Sequence, residues 1–273
     1  MRIDEIIRKS LDEDLGSGDI TTRYLDLDPE ICSAYMIAKA EGILAGTDIA
    51  KEVFKTVDPE LKITIYRKDG DRVRSKDEIM RVEGKAASIL QAERTALNFL
   101  QRLSGIASQT RRMVDAMAGT NAKLLDTRKT TPLLRSLEKY AVRVGGGQNH
   151  RHGLFDMIML KENHIRAAGG ITRAVSKIQM QNASYKVEVE VSNLDELAEA
   201  VAVKADRVML DNMSLKDIKA AVKRFGKKVE LEISGGVNED NILQYAKTGV
   251  HYISSGALTH SYKSLDISLL FKE

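Results

Sequence analysis

The sequence predicts an α/β protein in two parts. The first third is mixed α and β; behind it lies a β/α barrel, complete or incomplete, with an open doubly wound sheet as the alternative. Three observations predict this. The chain has 273 residues, 43% hydrophobic and 30% charged, enough apolar material to offset chain entropy and to exclude a disordered polymer. After about Gly119, six short apolar runs recur every ~20–30 residues with helical patterns between most of them, the rhythm of parallel βαβ units. Before Gly119 no such rhythm exists.

Taken in order, residues 4–15 place Ile6, Ile7, Leu11 and Leu15 at helical spacing, ended by Gly16 and Gly18. A strand-like pattern over 31–46 is interrupted at Glu41-Gly42; a helix follows over 47–57, and Asp58-Pro59 breaks it. LKITIY at 61–66 alternates as a strand, closed by Asp69-Gly70, and 73–82 reads as another hairpin. Residues 88–103 form an amphipathic helix, with Ile89, Ala92, Ala96, Phe99, Leu100 and Leu103 on one face and Gln91, Arg94, Asn98 and Gln101 on a polar stripe. In the second part the strand-like runs begin near Lys123, Asp156, Lys186, Asp206, Val229 and Val250. Residues 192–195 and 214–217 have the spacing of helix-starting caps. No G-x-G-x-x-G follows the first of these strands and no P-loop is present, which favours the barrel over the open sheet.

Composition narrows the function. Lysine and arginine number 42 against 39 acids, a formal charge of +3, too balanced for a duplex nucleic-acid binder. No apolar run approaches the roughly 18 residues that span a bilayer. The opening MRIDEIIRKSLDED lacks the apolar segment of a signal peptide. The single cysteine, Cys32, excludes an internal disulfide and a cysteine zinc site. The expected location is therefore the cytoplasm. With no tryptophan and few aromatics, a base- or sugar-stacking platform is disfavoured. The near-neutral total hides a local excess: between 121 and 166, nine lysines and arginines face four acids.

The candidate chemistry sits where the strands end. Those ends read Asp126-Thr127-Arg128-Lys129, Lys161-Glu162-Asn163, Glu190, Asp211-Asn212, Ser234-Gly235-Gly236 and Ser255-Gly256. In parallel α/β architectures active sites lie at the carboxyl ends of the strands. Polar loops alone would account for Asn163 and Asn212, but not for Glu190, a carboxylate inside the apolar strand VEVEV. Arg128, Lys129, Arg151 and Lys161, with His150 beside them, suit planar carboxylates. Glu190 and Asp211 suit sugar hydroxyls or a divalent cation carried with phosphate. The glycine turns at 235–236 and 256 expose backbone N–H groups to a phosphate. Together they describe a polyanionic acid at one end and a ribose phosphate at the other. His150-Arg151-His152 admits a zinc pair, but it follows a triglycine loop, where one side chain of an i, i+2 pair often points away. The methionines, Met157 and Met159 included, read as core filling.

TRKTTP at 127–132, KYAVRVGGGQNHR at 139–151, LKENHI at 160–165, VEVEV at 187–191, LDN at 210–212, ISGG at 233–236 and GALTHS at 256–261 resemble the quinolinate phosphoribosyltransferase family. EDLGSGDITT at 13–22 and AERTALNFLQRLSGIA at 92–107 extend the resemblance over nearly the whole chain. The resemblance implies an N-terminal α/β sandwich domain plus a C-terminal incomplete β/α barrel, in a homodimer with a shared active site. The expected boundaries are 1–108, with 265–273 returning to it, and 109–264. It implies transfer from phosphoribosyl pyrophosphate (PRPP) to quinolinate, with decarboxylation, in the presence of Mg2+ bound with PRPP. Arg128, His150, Arg151 and Lys161 would bind quinolinate, and Lys129 would reach towards the phosphates. Arg94 would complete the partner subunit's site. Glu190 and Asp211 would surround the ribose hydroxyls and magnesium, and Ser234, Gly235, Gly236, Ser255 and Gly256 the ribose phosphate. No protein-held metal, nucleic acid or membrane is implied. Two alternatives stand beside it: a related phosphoribosyltransferase-like protein associated with molybdenum transport, and a non-catalytic anion-binding homologue. The full basic set favours quinolinate, and retention of Glu190, Asp211 and the glycine turns favours live chemistry.

Overall fold

A computed structural model describes residues 2–27, 30–182 and 184–272. The chain forms two compact units, one of 1–111, 132–146 and 262–273, the other of 112–131 and 147–261.

The first unit opens with α1 (Ile3–Leu15), which buries Ile6, Ile7 and Leu11, and the short α2 (Ile20–Tyr24), capped by the Asp19 carboxylate. Then come β1 (Ile31–Ala38), β2 (Gly42–Ile43), α3 (Thr47–Val57), β3 (Lys62–Ile65), β4 (Arg72–Val73), β5 (Glu78–Lys85) and the 31-residue α4 (Ala86–Ala116). In the predicted hairpin over 73–82, β4 and β5 do not pair with each other: β4 pairs with β2, and β5 with β1 and β3. Asp69 does more than close a turn. Its carboxylate accepts from the Gly46 and Thr47 N–H groups at 2.8 and 2.9 Å, capping α3 from a distant loop.

The predicted helix over 88–103 continues to Ala116, because Ile106, Ala107 and Met113 prolong the buried stripe. Ser104 and Ser108 on this helix donate and accept at Ala45 and Ile43, pinning β2 and the turn after it. Gly105 is required by contact: a Cβ there would lie 2.4 Å from the Lys263 carbonyl oxygen.

The second unit holds β6 (Lys123–Leu125), then, beyond α5 (Arg135–Val144), the strands β7 (Ile158–Leu160), β8 (Val187–Val191), β9 (Arg207–Asp211), β10 (Glu230–Ser234) and β11 (Tyr252–Ser254). All are parallel, in the order β6-β11-β10-β9-β8-β7. The first strand pairs with the last and the order never reverses, so this is a barrel and not a doubly wound sheet. It is incomplete between β6 and β7, where Gln148 makes a single parallel bridge to Leu125. Strand starts fall within two residues of those expected. Between the strands lie α6 (Glu162–Ala168), α7 (Ile171–Met180), α8 (Leu194–Ala202), α9 (Leu215–Phe225), α10 (Ile242–Ala246) and α11 (Ala257–His260). Ser214 caps α9 as expected, but α8 is capped by Asn193, while Ser192 bonds to Glu196.

A last strand, β12 (Ile267–Phe271), pairs antiparallel with β1, completing the first unit's sheet in the order β12-β1-β5-β3. The expected boundaries give the barrel as one stretch from 109 to 264, whereas by contact 109–111, 132–146 and 262–264 group with the first unit. Side-chain bonds from α5 explain this: Arg102 pairs with Glu138, and the Tyr140 hydroxyl donates to Asp69 at 2.6 Å.

Candidate active site

Alternation along each barrel strand sends one set of side chains outward to the helices and the other inward. Val187, Val189 and Val191 belong to the buried outer set of β8, and Glu188 and Glu190 to the inner. At the carboxyl ends the inner set opens into a cavity of about 580 Å³. Arg128, Lys129, His150, Arg151, Lys161, Glu190, Asp211, Ser234, Gly235 and Gly256, all expected from the sequence, line it.

Strand order arranges them in three arcs. The basic arc spans the end of β6, the 150–151 loop and the end of β7. Glu190 and Asp211 follow on β8 and β9. Ser234, Gly235 and Gly256 follow β10 and β11, and return the ring to Lys129. Lys161 Nζ lies 2.9 Å from Glu190 Oε2, and Asn212 Nδ2 donates to Asp211 Oδ2 at 2.9 Å. Burial, and then the Arg128 guanidinium, push Arg151 below the usual arginine range. Arg151 Nη1 donates to the Met157 carbonyl at 3.1 Å.

Two glycines serve the site by their absence of a side chain. Gly235 sits at φ +102°, and a Cβ would fall 2.2 Å from Asn212 Oδ1. At Gly256 a Cβ would crowd Lys129 Cδ at 2.9 Å, so glycine here clears the path of the Lys129 side chain. The Lys129 backbone is held from both sides: its N–H donates to Thr127 Oγ1 and its carbonyl accepts from Thr259 Oγ1 at 2.7 Å.

Three expected residues lie elsewhere. Arg94 is exposed on α4 of the first unit. Ser255 is buried and spends its hydroxyl on the Val237 carbonyl at 2.7 Å. Gly236, at φ +62°, lies in the turn beside the cavity wall, where Asn241 holds its carbonyl. Asp126 is fully buried and anchors the loop through the His150 N–H and the Asn149 amide. Met159, read as core, lines the cavity with Met209.

Sequence reasoning missed the charges below the cavity. Glu188 and Glu232 are fully buried inside the barrel. Burial raises both, to about 7. Their signal was available: VEVEV and VELEIS both alternate, so the inner set had to contain residues 188, 190, 230 and 232.

The donor set suits magnesium delivered with a phosphorylated substrate. Glu190 and Asp211 offer only hard oxygens, on adjacent strands beside glycine turns. A small hard cation takes one or two carboxylates and substrate phosphates.

Comparison with known proteins identifies relatives over nearly the whole chain. Models of the N-terminal and C-terminal domains of quinolinate phosphoribosyl transferase match residues 19–104 and 106–270. A Bacillus subtilis relative, "probable nicotinate-nucleotide pyrophosphorylase [carboxylating]", is 45% identical over 94% of this chain and 89% of its own. The chloroplastic nicotinate-nucleotide pyrophosphorylase [carboxylating] of Arabidopsis thaliana is 44% identical over 97% and 81%. A solved nicotinate-nucleotide pyrophosphorylase from Francisella tularensis superposes with a TM-score of 0.96 at 48% identity, over 99% of this chain and 96% of the other.

Proposed function

We propose, from the premise that this chain belongs to the quinolinate phosphoribosyl transferase family, that its cavity transfers the phosphoribosyl group of PRPP to quinolinate, giving nicotinate mononucleotide, pyrophosphate and carbon dioxide on the way to NAD. The observation that carries the reading is the sorting of charge around one cavity into basic, acidic and glycine arcs.

Arg128, Arg151 and Lys161 take the two carboxylates of quinolinate, with His150 in the wall behind them. Holding the ring in register is chiefly a positioning contribution. Glu190 and Asp211 accept the ribose hydroxyls and face the Mg2+ that PRPP carries. That ion supplies neutralisation of the pyrophosphate charge. The backbone turns at Gly235, Gly236 and Gly256, with Ser234 and the Ser255 segment, hold the ribose phosphate. Lys129 meets the departing pyrophosphate. The C1′–oxygen bond breaks as the pyridine nitrogen bonds to C1′. The quaternised ring then keeps the electron pair of its C2–carboxyl bond, carbon dioxide leaves, and C2 takes a proton from solvent. No covalent enzyme intermediate is needed.

Arg94 completes the site of a second copy in a homodimer. The balanced charge and lone cysteine support a cytoplasmic location. No helix among the described residues is long and apolar enough to cross a membrane.

The deciding experiment incubates purified protein with quinolinate, PRPP and magnesium and measures nicotinate mononucleotide and carbon dioxide in equal amounts. Nicotinate, lacking the second carboxylate, is expected to fail as acceptor. No product from quinolinate, or efficient turnover of nicotinate, overturns the reading. For the shared site, Arg94→Ala should raise the quinolinate KM by about tenfold to a hundredfold, the worth of one charge-assisted contact, with the melting temperature unchanged. Unaltered kinetics would remove Arg94 from the site.

A further inference from the structure

Barrel interiors are normally filled by branched apolar side chains. Here the layer below the cavity holds Glu188 and Glu232, neither with any exposed surface. A buried charge without compensation costs several kcal/mol, so each carboxylate must be answered by a neighbour. Arg207, on β9 between the two strands, answers from below. Its Nη1 lies 3.2 Å from Glu232 Oε2 and its Nη2 3.3 Å from Glu230 Oε2, with the guanidinium 3.9 Å from the Tyr252 ring centroid. His150 answers from above. Its Nε2 lies 3.0 Å from Glu188 Oε2 and 3.5 Å from Glu232 Oε1.

The other ring nitrogen is also engaged: His150 Nδ1 accepts the Arg151 N–H at 2.7 Å. The imidazole thus links the buried acids to the backbone of the residue whose guanidinium lines the quinolinate end of the cavity. The Met157 carbonyl holds that guanidinium as well. One imidazole nitrogen and two carboxylate oxygens within 4.8 Å also have the composition of a metal site. Yet Arg207 already places a cation against Glu232, and His150 Nε2 is set against Glu188.

We propose that Glu188 and Glu232 are positioning residues: through the His150 ring set against them they fix the 150–151 backbone, and so aim the Arg151 guanidinium at the substrate. The inference rests on the assignment of quinolinate to this cavity. It recasts His150 as a strut behind Arg151, its ring nitrogens turned to the protein and not to the substrate. A guanidinium fixed in advance loses less freedom on binding.

Two measurements test this. In steady-state kinetics, Glu188→Leu should raise the quinolinate KM by about tenfold to a hundredfold, the usual cost of a slightly misplaced binding group, with the PRPP KM within about twofold and kcat less affected. Glu188→Gln, whose amide oxygen still faces Nε2, should recover most of the loss. Equal damage to both substrates, or no recovery by glutamine, overturns the proposal. The second measurement is 15N NMR of the histidines in the wild-type protein, which depends on neither variant folding nor turnover. Nε2 of His150 should carry the proton and Nδ1 should remain an acceptor, both unchanged by saturating quinolinate. A quinolinate-induced change at Nδ1 would place the ring on the substrate and overturn the strut. A protein that binds no quinolinate at all refutes the functional reading instead, while the apo spectrum still reports whether the ring is held.

Discussion

Lys129→Met is expected to lower kcat for phosphoribosyl transfer by about a hundredfold to a thousandfold, the usual cost of one preorganised group that stabilises developing charge. The KM for quinolinate should stay within about threefold, because Arg128, Arg151 and Lys161 remain to hold it. The structure argues for a transition-state role. Lys129 stands where the basic arc meets the glycine arc, its backbone is held on both sides, and Gly256 clears the space its side chain crosses. Charge on the leaving pyrophosphate grows only as the C1′–oxygen bond breaks, so the ammonium matters most then. Methionine keeps most of the length of the side chain and removes the ammonium with its charge and donors. Pre-steady-state rates of nicotinate mononucleotide formation check it. A change confined to KM would move Lys129 from the leaving group to ground-state binding.

Arg102→Met should destabilise the first unit by about 3–5 kcal/mol, read as a lower urea midpoint. Glu138 has no exposed side-chain surface, and Arg102 Nη2 and Nε sit 2.5 and 3.1 Å from its Oε1. Methionine preserves much of the packing over Tyr262, whose ring lies 5.1 Å from the guanidinium carbon, and takes away a cation that answers the buried carboxylate. The double variant Arg102→Met, Glu138→Leu should recover most of the loss, since an apolar pair can replace a buried ion pair at little cost. A single variant as stable as the parent would show that other neighbours of Glu138 suffice.

The barrel was legible because its physics is local. A strand buried on its outer face reads as an apolar run, and its carboxyl end must be polar or glycine where it meets a ligand. Arg128, Lys161, Glu190, Asp211 and Gly235 could therefore be placed from the sequence. What escaped depends on distance. Nothing near Tyr140 or Glu138 says that their partners are Asp69 and Arg102, so α5 read as part of the barrel. Nothing in the sequence around Ser255 says that its hydroxyl goes to the Val237 carbonyl. Glu188 shares the alternation of Glu190, which has Lys161 and the cavity, but the group set against Glu188, His150, lies on a loop remote in sequence.

The antiparallel pairing of β12 with β1 has a consequence for the order in which the protein can be made. On the ribosome β1 and β5 emerge early, but residues 86–266 must follow before β12 can reach Ala34–Ala38. Until then one edge of β1 carries unpaired N–H and C=O groups, a template for any other extended chain. The barrel strands lie within that interval and can pair with one another first. The nascent chain therefore passes through a stage with a nearly finished second unit and an unsealed first, the stage at which a stalled or truncated product is most prone to aggregate.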